Sequence, residues 1–300
     1  MHLLYSFTYF GVLCLFSLQH TLSIRITPHS LSTIYPQDPL KKPRCGSHFF
    51  KGLSNYVRQA VNIAKLELYV DDVNVMLKCE NKKERLLIVL EYGDAFDRNF
   101  SLNKTEDGNS IRMNNSDKVL LPEELLSLLL DENVRVPWQF IIQKVHRVTQ
   151  LGRPLTHTCV QSTVDDFFSA RNSHNERISC ASFDFRAQDN FIFIPKWMMK
   201  SLNIRPYDII YLSHIQLLDA TYVKIMPMEK EFFDLKEPKL ILEQHLKHYS
   251  TLTRGAIIPI SHKNRLYNLK VVSINTEKKQ NIECASIQDI DVAVDLVRAI

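Results

Sequence analysis

Glycine is scarce in this chain of 300 residues, which holds only 7. They stand at positions 11, 46, 52, 93, 108, 152 and 255, and no two are spaced for G-x-G-x-x-G or a Walker loop. A glycine-rich turn cradling nucleotide phosphates is therefore excluded. Cysteine is nearly as sparse. Cys14 lies in an apolar start, and Cys45, Cys79, Cys159, Cys180 and Cys284 form no C-x-x-C and no tight cluster. That argues against a disulfide framework or a structural zinc site and for a reducing compartment. Neither Asp-Thr-Gly nor Asp-Ser-Gly occurs, so the carboxylates Asp165, Asp166, Asp208 and Asp219 carry no aspartic-protease signature. A net charge of +4 is too small to argue for nucleic acid as a partner.

The charge that is present is unevenly placed. Residues 24–65 carry seven Lys or Arg and one acid, Asp38, whereas residues 66–300 carry two more acids than bases. Residues 1–23 have no charged side chain. The uncharged run at 3–18 is short for a membrane span, which needs about 20 apolar residues, and fits the core of a secretory signal peptide over 1–23. No Lys or Arg precedes it, which departs from the usual signal. Residues 24–65 are basic, rich in hydroxyl side chains and interrupted by Pro28, Pro36, Pro39 and Pro43. This is transit-peptide composition, so 24–83 is read as a transit-like or linker segment. A transit-like stretch behind a secretory signal points to import through the secretory route into a complex plastid. A membrane would be met only through the amino-terminal signal. Sequons at Asn99, Asn103 and Asn114 matter only if the chain stays in the secretory lumen.

From residue 84 the chain reads as many short strands with breakers between them. Apolar or alternating runs occur at 86–92, 134–143, 178–185, 191–194, 208–212, 222–226, 256–260, 266–272 and 281–284. Such density predicts a barrel or a sandwich. Residues 144–177 are polar and read as a surface insertion. An internal echo sharpens the prediction. Val119-Leu120-Leu121-Pro122 is followed by Leu125, Leu126 and Leu129; Ile192-Phe193-Ile194-Pro195 is followed by Met198, Met199 and Leu202. In both, apolar residues sit three, four and seven places after the proline. Each reads as a strand ending at a proline that opens a short helix with one apolar stripe. A strand–helix–strand unit used twice builds a pseudo-twofold double-psi β-barrel. Later, Pro238 begins a helix whose inner face is Ile241, Leu242, His245, Leu246 and Tyr249. The expected fold is mainly β with α+β character: a double-psi β-barrel over 84–216, then a smaller mixed α/β subdomain over 217–300.

These residues lead to a family. Residues 118–291 resemble the amino-terminal domain of the ubiquitin fusion degradation protein family. The most specific stretch is 191–199, FIFIPKWMM. Ala220-Thr221-Tyr222, Lys224, Pro227, Phe232, Asp234, Pro238-Lys239, Leu242-Glu243 and Leu246 continue it, then Leu252-Thr253, Gly255, Tyr267, Leu269, Val271 and Ile282-Glu283-Cys284. Pro122, Pro137 and Phe140 fit upstream. The resemblance implies a non-catalytic adaptor without a cofactor. It would bind ubiquitin or a ubiquitin-like protein and deliver tagged clients to a hexameric AAA ATPase of the valosin-containing-protein type, beside a second adaptor subunit. Set with the two leading segments, it suggests the form used by apicoplast-type secondary plastids, in an ERAD-like preprotein translocation complex; the alternative is an ordinary cytosolic or ER-associated degradation adaptor. A hydrolase or decarboxylase on the same barrel is a further alternative. The resemblance ends near the last residue, so the family's carboxyl-terminal docking tail is expected to be missing.

Site candidates follow from what ubiquitin presents, a small apolar patch ringed by basic residues. A receiver needs an apolar depression with an acidic rim. The groove between barrel and smaller unit is the expected place, reached by Tyr222, Lys224 and Arg254. His262, Lys263 and Arg265 are expected at a solvated hairpin tip able to meet acidic surface on a partner. No catalytic, cofactor or metal residue is assigned. His245 and His248 are i, i+3 on a helix, but no third ligand is in sight, and Cys159 beside His157 is too close in sequence to make a dyad. Trp197 reads as core or cleft lining.

Overall fold

The computed structural model describes residues 49–79, 83–93, 101–104, 110–146, 176–263 and 265–298. The signal over 1–23, the first half of the transit-like segment, most of the 144–177 insertion and the Cys159/His157 pair lie outside the described residues.

The first element is a helix, α1, Phe49–Cys79. A short strand run follows: β1 Glu84–Glu91, β2 Ser101–Lys104, β3 Ser110–Arg112 and, after a 3-10 turn at Met113–Asn115, β4 Lys118–Pro122. Then come α2 Glu123–Asp131, β5 Gln139–His146, β6 Arg177–Ala187, β7 Phe191–Ile194, α3 Lys196–Ser201 and β8 Ile209–Ile215. Six of these strands close into a barrel in the order β1-β7-β4-β6-β5-β8. β1 runs parallel to β7 and antiparallel to β8; β6 runs parallel to β4 and antiparallel to β5. β4 meets β7, and β5 meets β8, antiparallel. Exchanging β1 with β6, β4 with β7 and β5 with β8 reproduces the same ring, which is the pseudo-twofold that the echo predicted.

The echo holds in the packing at every position but one, since Leu126 is only half-buried and stands outside the cluster. Leu125 and Leu129 of α2, and Met198, Met199 and Leu202 in and after α3, are buried in one cluster with Leu87, Val119, Phe140, Ile178, Ile192 and Ile210. That cluster draws on all six barrel strands and is the barrel interior. One detail differs. Pro122 and Pro195 precede the first helical turn rather than starting it, with ψ of 148° and 145°. Their backbone is still extended, so each contributes only a carbonyl to the helix; that of Pro195 accepts from the Met198 N–H at 3.0 Å. Both helices then stop at an asparagine with positive φ, Asn133 at 52° and Asn203 at 48°. The Val134 and Ile204 N–H groups bond back to the carbonyls of Leu129 and Met199, each at 2.9 Å. This is a Schellman closure, and asparagine tolerates the left-handed backbone it needs.

The second half of the 24–83 segment is part of the fold, which corrects its reading as linker. Leu66, Tyr69, Val70, Val73 and Leu77 lie on one face of α1 and are buried against Leu86, Ile88, Leu90, Phe191, Phe193 and Tyr211. Those strand residues alternate with the interior set, so α1 covers the outside of the barrel. This explains why the apolar run of β1 is buried on both faces. The Asn74 side chain fixes the docking: its amide donates to the Leu86 carbonyl at 2.9 Å and its oxygen accepts the Leu86 N–H at 2.8 Å. Basic, acid-poor composition masked the helical spacing.

The second subdomain is built from β9 Ala220–Pro227, a 3-10 turn at Lys230–Asp234, α4 Pro238–Leu246, β10 Thr251–Thr253, β11 Ile257–His262, β12 Arg265–Thr276, β13 Cys284–Ser286 and β14 Ala293–Leu296. Its sheets are β11-β12-β9-β14 and β10-β13. Pro238 is the first helical residue, and Ile241, Leu242, His245, Leu246 and Tyr249 are all buried, as the spacing predicted. Gly255 takes φ 85° in the turn between β10 and β11, where its N–H reaches the Val271 carbonyl at 2.7 Å. Among the described residues no helix is long and apolar enough to cross a membrane.

Two predictions test α1. Leu66→Ala is expected to lower the unfolding free energy of the barrel by about 2–4 kcal/mol in urea titration. Glu67 lies on the same helix, and burial raises its carboxyl to about 7 from 4.5. A carboxyl whose folded value is raised holds its proton in the folded state. It leaves stability unaffected below about pH 4.5, erodes it as pH rises towards 7 and costs its full penalty above. Glu67→Gln is therefore expected to match the natural chain at pH 4 and to exceed it at pH 8 by about 1–3 kcal/mol, read from melts across that range.

Candidate functional site

The seam between the subdomains starts from a short polar sequence before an apolar strand, Ser116-Asp117-Lys118. Ser116 closes the 3-10 turn through its hydroxyl, which donates to the Met113 carbonyl at 2.8 Å and accepts the Lys118 N–H at 3.2 Å. This leaves Asp117 fully buried, facing the second subdomain. Its carboxylate accepts the Ser250 N–H at 3.0 Å, the Thr251 N–H at 2.7 Å and the Thr251 hydroxyl at 2.9 Å. The Lys118 ammonium donates to the Ser250 hydroxyl. Burial pushes the Asp117 carboxyl up, and Lys118 together with the Ser250 and Thr251 donors pulls it back.

Three further contacts extend the seam. Ser179 of β6 gives its N–H to the Thr253 hydroxyl at 2.9 Å. Gln139 of β5 donates to the Ser286 hydroxyl at 3.0 Å. The Trp197 indole donates to the Ser116 carbonyl at 2.8 Å, and its ring lies 6.3 Å from that of Tyr249. Trp197 touches both the barrel interior and the core of the second subdomain, so it lines the join.

A cleft of about 510 Å³ opens beside these bonds. Lys118, Tyr249 and Ser250 form one wall, Lys247 stands at the end of α4, and the loop at residues 287–291 forms the other wall with Ile287, Asp289, Ile290 and Asp291. The Ile287 N–H donates to the Ser250 carbonyl at 2.8 Å, which ties the loop to the seam.

The residues nominated from sequence fall elsewhere. Val223 and Ile225 point into the core, so Tyr222 and Lys224 occupy the opposite face of β9, away from the cleft. The Tyr222 hydroxyl donates to Asp295 at 3.1 Å, and desolvation and that carboxylate raise its phenol. Arg254 is exposed in the turn after β10, its N–H bonded to the Glu283 carbonyl at 2.7 Å. None of the three lines the cleft. The groove placement is corrected for Tyr222 and Lys224, which strand alternation turns outward; Arg254 follows Thr253, which meets Ser179 of β6 across the seam. His262, Lys263 and Arg265 do sit at the tip where β11 turns into β12, with Lys263 at φ 48°. Arg265 lies 5.2 Å from the Tyr267 ring centroid and 3.5 Å from Glu231. His245 faces two backbone carbonyls, Ile241 at 2.8 Å and Ser261 at 2.6 Å, so its ring nitrogens are occupied within the fold. Among the described residues no group of three His, Cys, Asp or Glu is placed to hold a metal ion. Asp208 is fully buried and caps the Arg205 N–H at 2.8 Å, which is a structural role.

Sequence reasoning missed Asp117, Lys118, Ser250 and Thr251. The signal was an acid standing directly before an apolar strand, and a Ser-Thr pair opening a short strand whose every residue is buried.

Two family models meet at this seam. The description "Ubiquitin fusion degradation protein UFD1, N-terminal subdomain 1" matches residues 96–218, and "N-terminal subdomain 2" of the same protein matches 219–299. The chain belongs to the ubiquitin fusion degradation protein family. It does so through the amino-terminal domain, whose two subdomains divide between β8 and β9. Curated relatives agree. A ubiquitin fusion degradation protein 1 homolog of Dictyostelium discoideum is 30% identical over 178 residues, covering 59% of this chain and 44% of the relative. The human ubiquitin recognition factor in ER-associated degradation protein 1 is 30% identical over 126 residues, covering 41% of each chain. The ubiquitin fusion degradation protein 1 of Saccharomyces cerevisiae is 27% identical over 173 residues, covering 58% of this chain and 40% of its own. The chain thus spans less than half the length of these relatives.

Removing the Asp117 carboxylate leaves buried N–H groups without an acceptor. Asp117→Ala is expected to cost about 2–4 kcal/mol in denaturant unfolding, and Asp117→Asn, which keeps one acceptor oxygen, less.

Proposed function

We propose that this chain is a non-catalytic adaptor that binds ubiquitin and recruits ubiquitylated clients to a hexameric AAA ATPase of the valosin-containing-protein type, for extraction across a membrane. The observation that carries the reading is the unbroken match of both family subdomains along residues 96–299. Relatives over the same region are named for ubiquitin fusion degradation and for ubiquitin recognition in ER-associated degradation. We place the protein in an ERAD-like preprotein translocation complex of an apicoplast-type plastid, because an uncharged start is followed by a basic, acid-poor stretch. One observation favours the ordinary cytosolic or ER-associated adaptor instead. Leu66, Val70, Val73 and Leu77, within the segment read as an address, are buried against the barrel. The address must then lie in the residues ahead of α1.

Titration of isotope-labelled ubiquitin with the full chain tests the adaptor reading. Weak saturable shifts confined to one face are expected, and flat spectra with a folded sample would overturn it. A fluorescent fusion of residues 1–48 tests the location: plastid signal is expected, and diffuse cytosolic signal would select the second reading.

A further inference from the structure

We propose that the outer edge of β14 takes up an extended segment of a partner polypeptide in which apolar residues alternate with Lys or Arg. The segment would add a strand to the β11-β12-β9-β14 sheet. The proposal is independent of the adaptor reading, because it follows from backbone pairing and local charge alone.

The two ends of that sheet are built differently. β11 is the edge strand at one end. Pro259 has no N–H to offer, and its carbonyl accepts the Tyr249 hydroxyl at 3.0 Å. The Ser261 carbonyl lies 2.6 Å from the His245 ring. The chain's own side chains thus close that edge, as sheet edges are commonly guarded. β14 stands at the other end, paired on one side only, parallel to β9. The Val297 N–H bonds to the Ile225 carbonyl at 3.0 Å, so Val297 and, by alternation, Asp295 turn their backbone groups toward β9. Val294 and Leu296 turn theirs away. Among the described residues no backbone bond reaches those outward groups.

The side chains of β14 say what the added strand should carry. Val294 and Leu296 pack against the core of the second subdomain but stay only half-buried. Apolar residues laid alongside them would cover what they leave open. On the opposite face, charge selects the occupant. Residues 284–297 hold Asp289, Asp291 and Asp295 and no base. Asp295 accepts the Tyr222 hydroxyl and has Lys224 across from it on β9, so an added strand would meet it from its other side. A base is favoured there and an acid opposed. The same rule disfavours a second copy of this chain. In the antiparallel register that uses Val294 and Leu296 of both copies, the two Asp295 carboxylates would stand opposite each other.

The test titrates the full chain with a labelled peptide alternating valine and lysine, followed by fluorescence anisotropy. Saturable binding is expected, with slowed hydrogen exchange at the Val294 and Leu296 N–H groups. A peptide alternating valine and glutamate is expected to bind about tenfold more weakly. Val294→Pro removes an outward donor and no bond to β9. An unchanged melting curve and about tenfold weaker binding are expected of it. Asp295→Lys keeps every backbone donor and is expected to reverse the preference between the two peptides. No binding of the valine–lysine peptide, equal binding of both peptides, or binding that both variants leave unchanged overturns the proposal. So does a dimer of the natural chain in sedimentation that Val294→Pro dissociates, because a second copy then holds the edge.

Discussion

A single buried carboxylate sets the relation between the two halves of this molecule. Asp117 belongs to the barrel, but the donors that satisfy it belong to the second subdomain. A charge removed from water is tolerated only with partners in good geometry. The subdomains therefore cannot slide or rotate past one another without stranding it. Ser179–Thr253, Gln139–Ser286 and the Trp197–Tyr249 ring contact act in the same direction and share the constraint. Because the join is fixed, the cleft beside it has a fixed shape.

The barrel answers a different constraint. Its interior is filled symmetrically by two copies of one idea, an apolar strand, a proline, a short helix and an asparagine that ends it. Its exterior breaks that symmetry. α1 covers β1, β7 and β8, whereas the second subdomain meets the other half of the ring at Ser179 of β6, Gln139 of β5 and Asp117 just before β4. The apolar outer faces of Leu86, Ile88, Phe193 and Tyr211 require such a cover, since a barrel strand buried on one side only would show polar alternation outward.

What could be read from sequence was what periodicity and punctuation encode. The six barrel strands, the echo around Pro122 and Pro195, the α4 inner face and the hairpin tip at Lys263 were legible, whereas the short strands β2, β3, β10 and β14 were not. The family was legible too, because FIFIPKWMM is specific. The seam was not. Its bonds join residues 74 to 147 positions apart, and polar side chains such as Asp117 and Thr251 look the same in sequence whether they are buried or solvated. Tyr222 and Lys224 were misplaced because alternation gives two faces without saying which is inward. The start of the folded region was hidden because residues 24–65 were weighed by charge, while the stripe Leu66, Val70, Val73 and Leu77 begins just after them.

The grip of Asn74 on the barrel has a consequence in time. Its amide holds Leu86, close in sequence, and also Asn190, 116 residues further on. A ribosome adding about 5–20 residues per second needs on the order of ten seconds to cover that gap. During that wait the helix has been made and its resting place has not. The nascent chain must carry an uncovered greasy stripe near its leading end, whether it emerges into cytosol or into a translocation channel. Guarding that stripe is a task that falls to whatever receives the chain first.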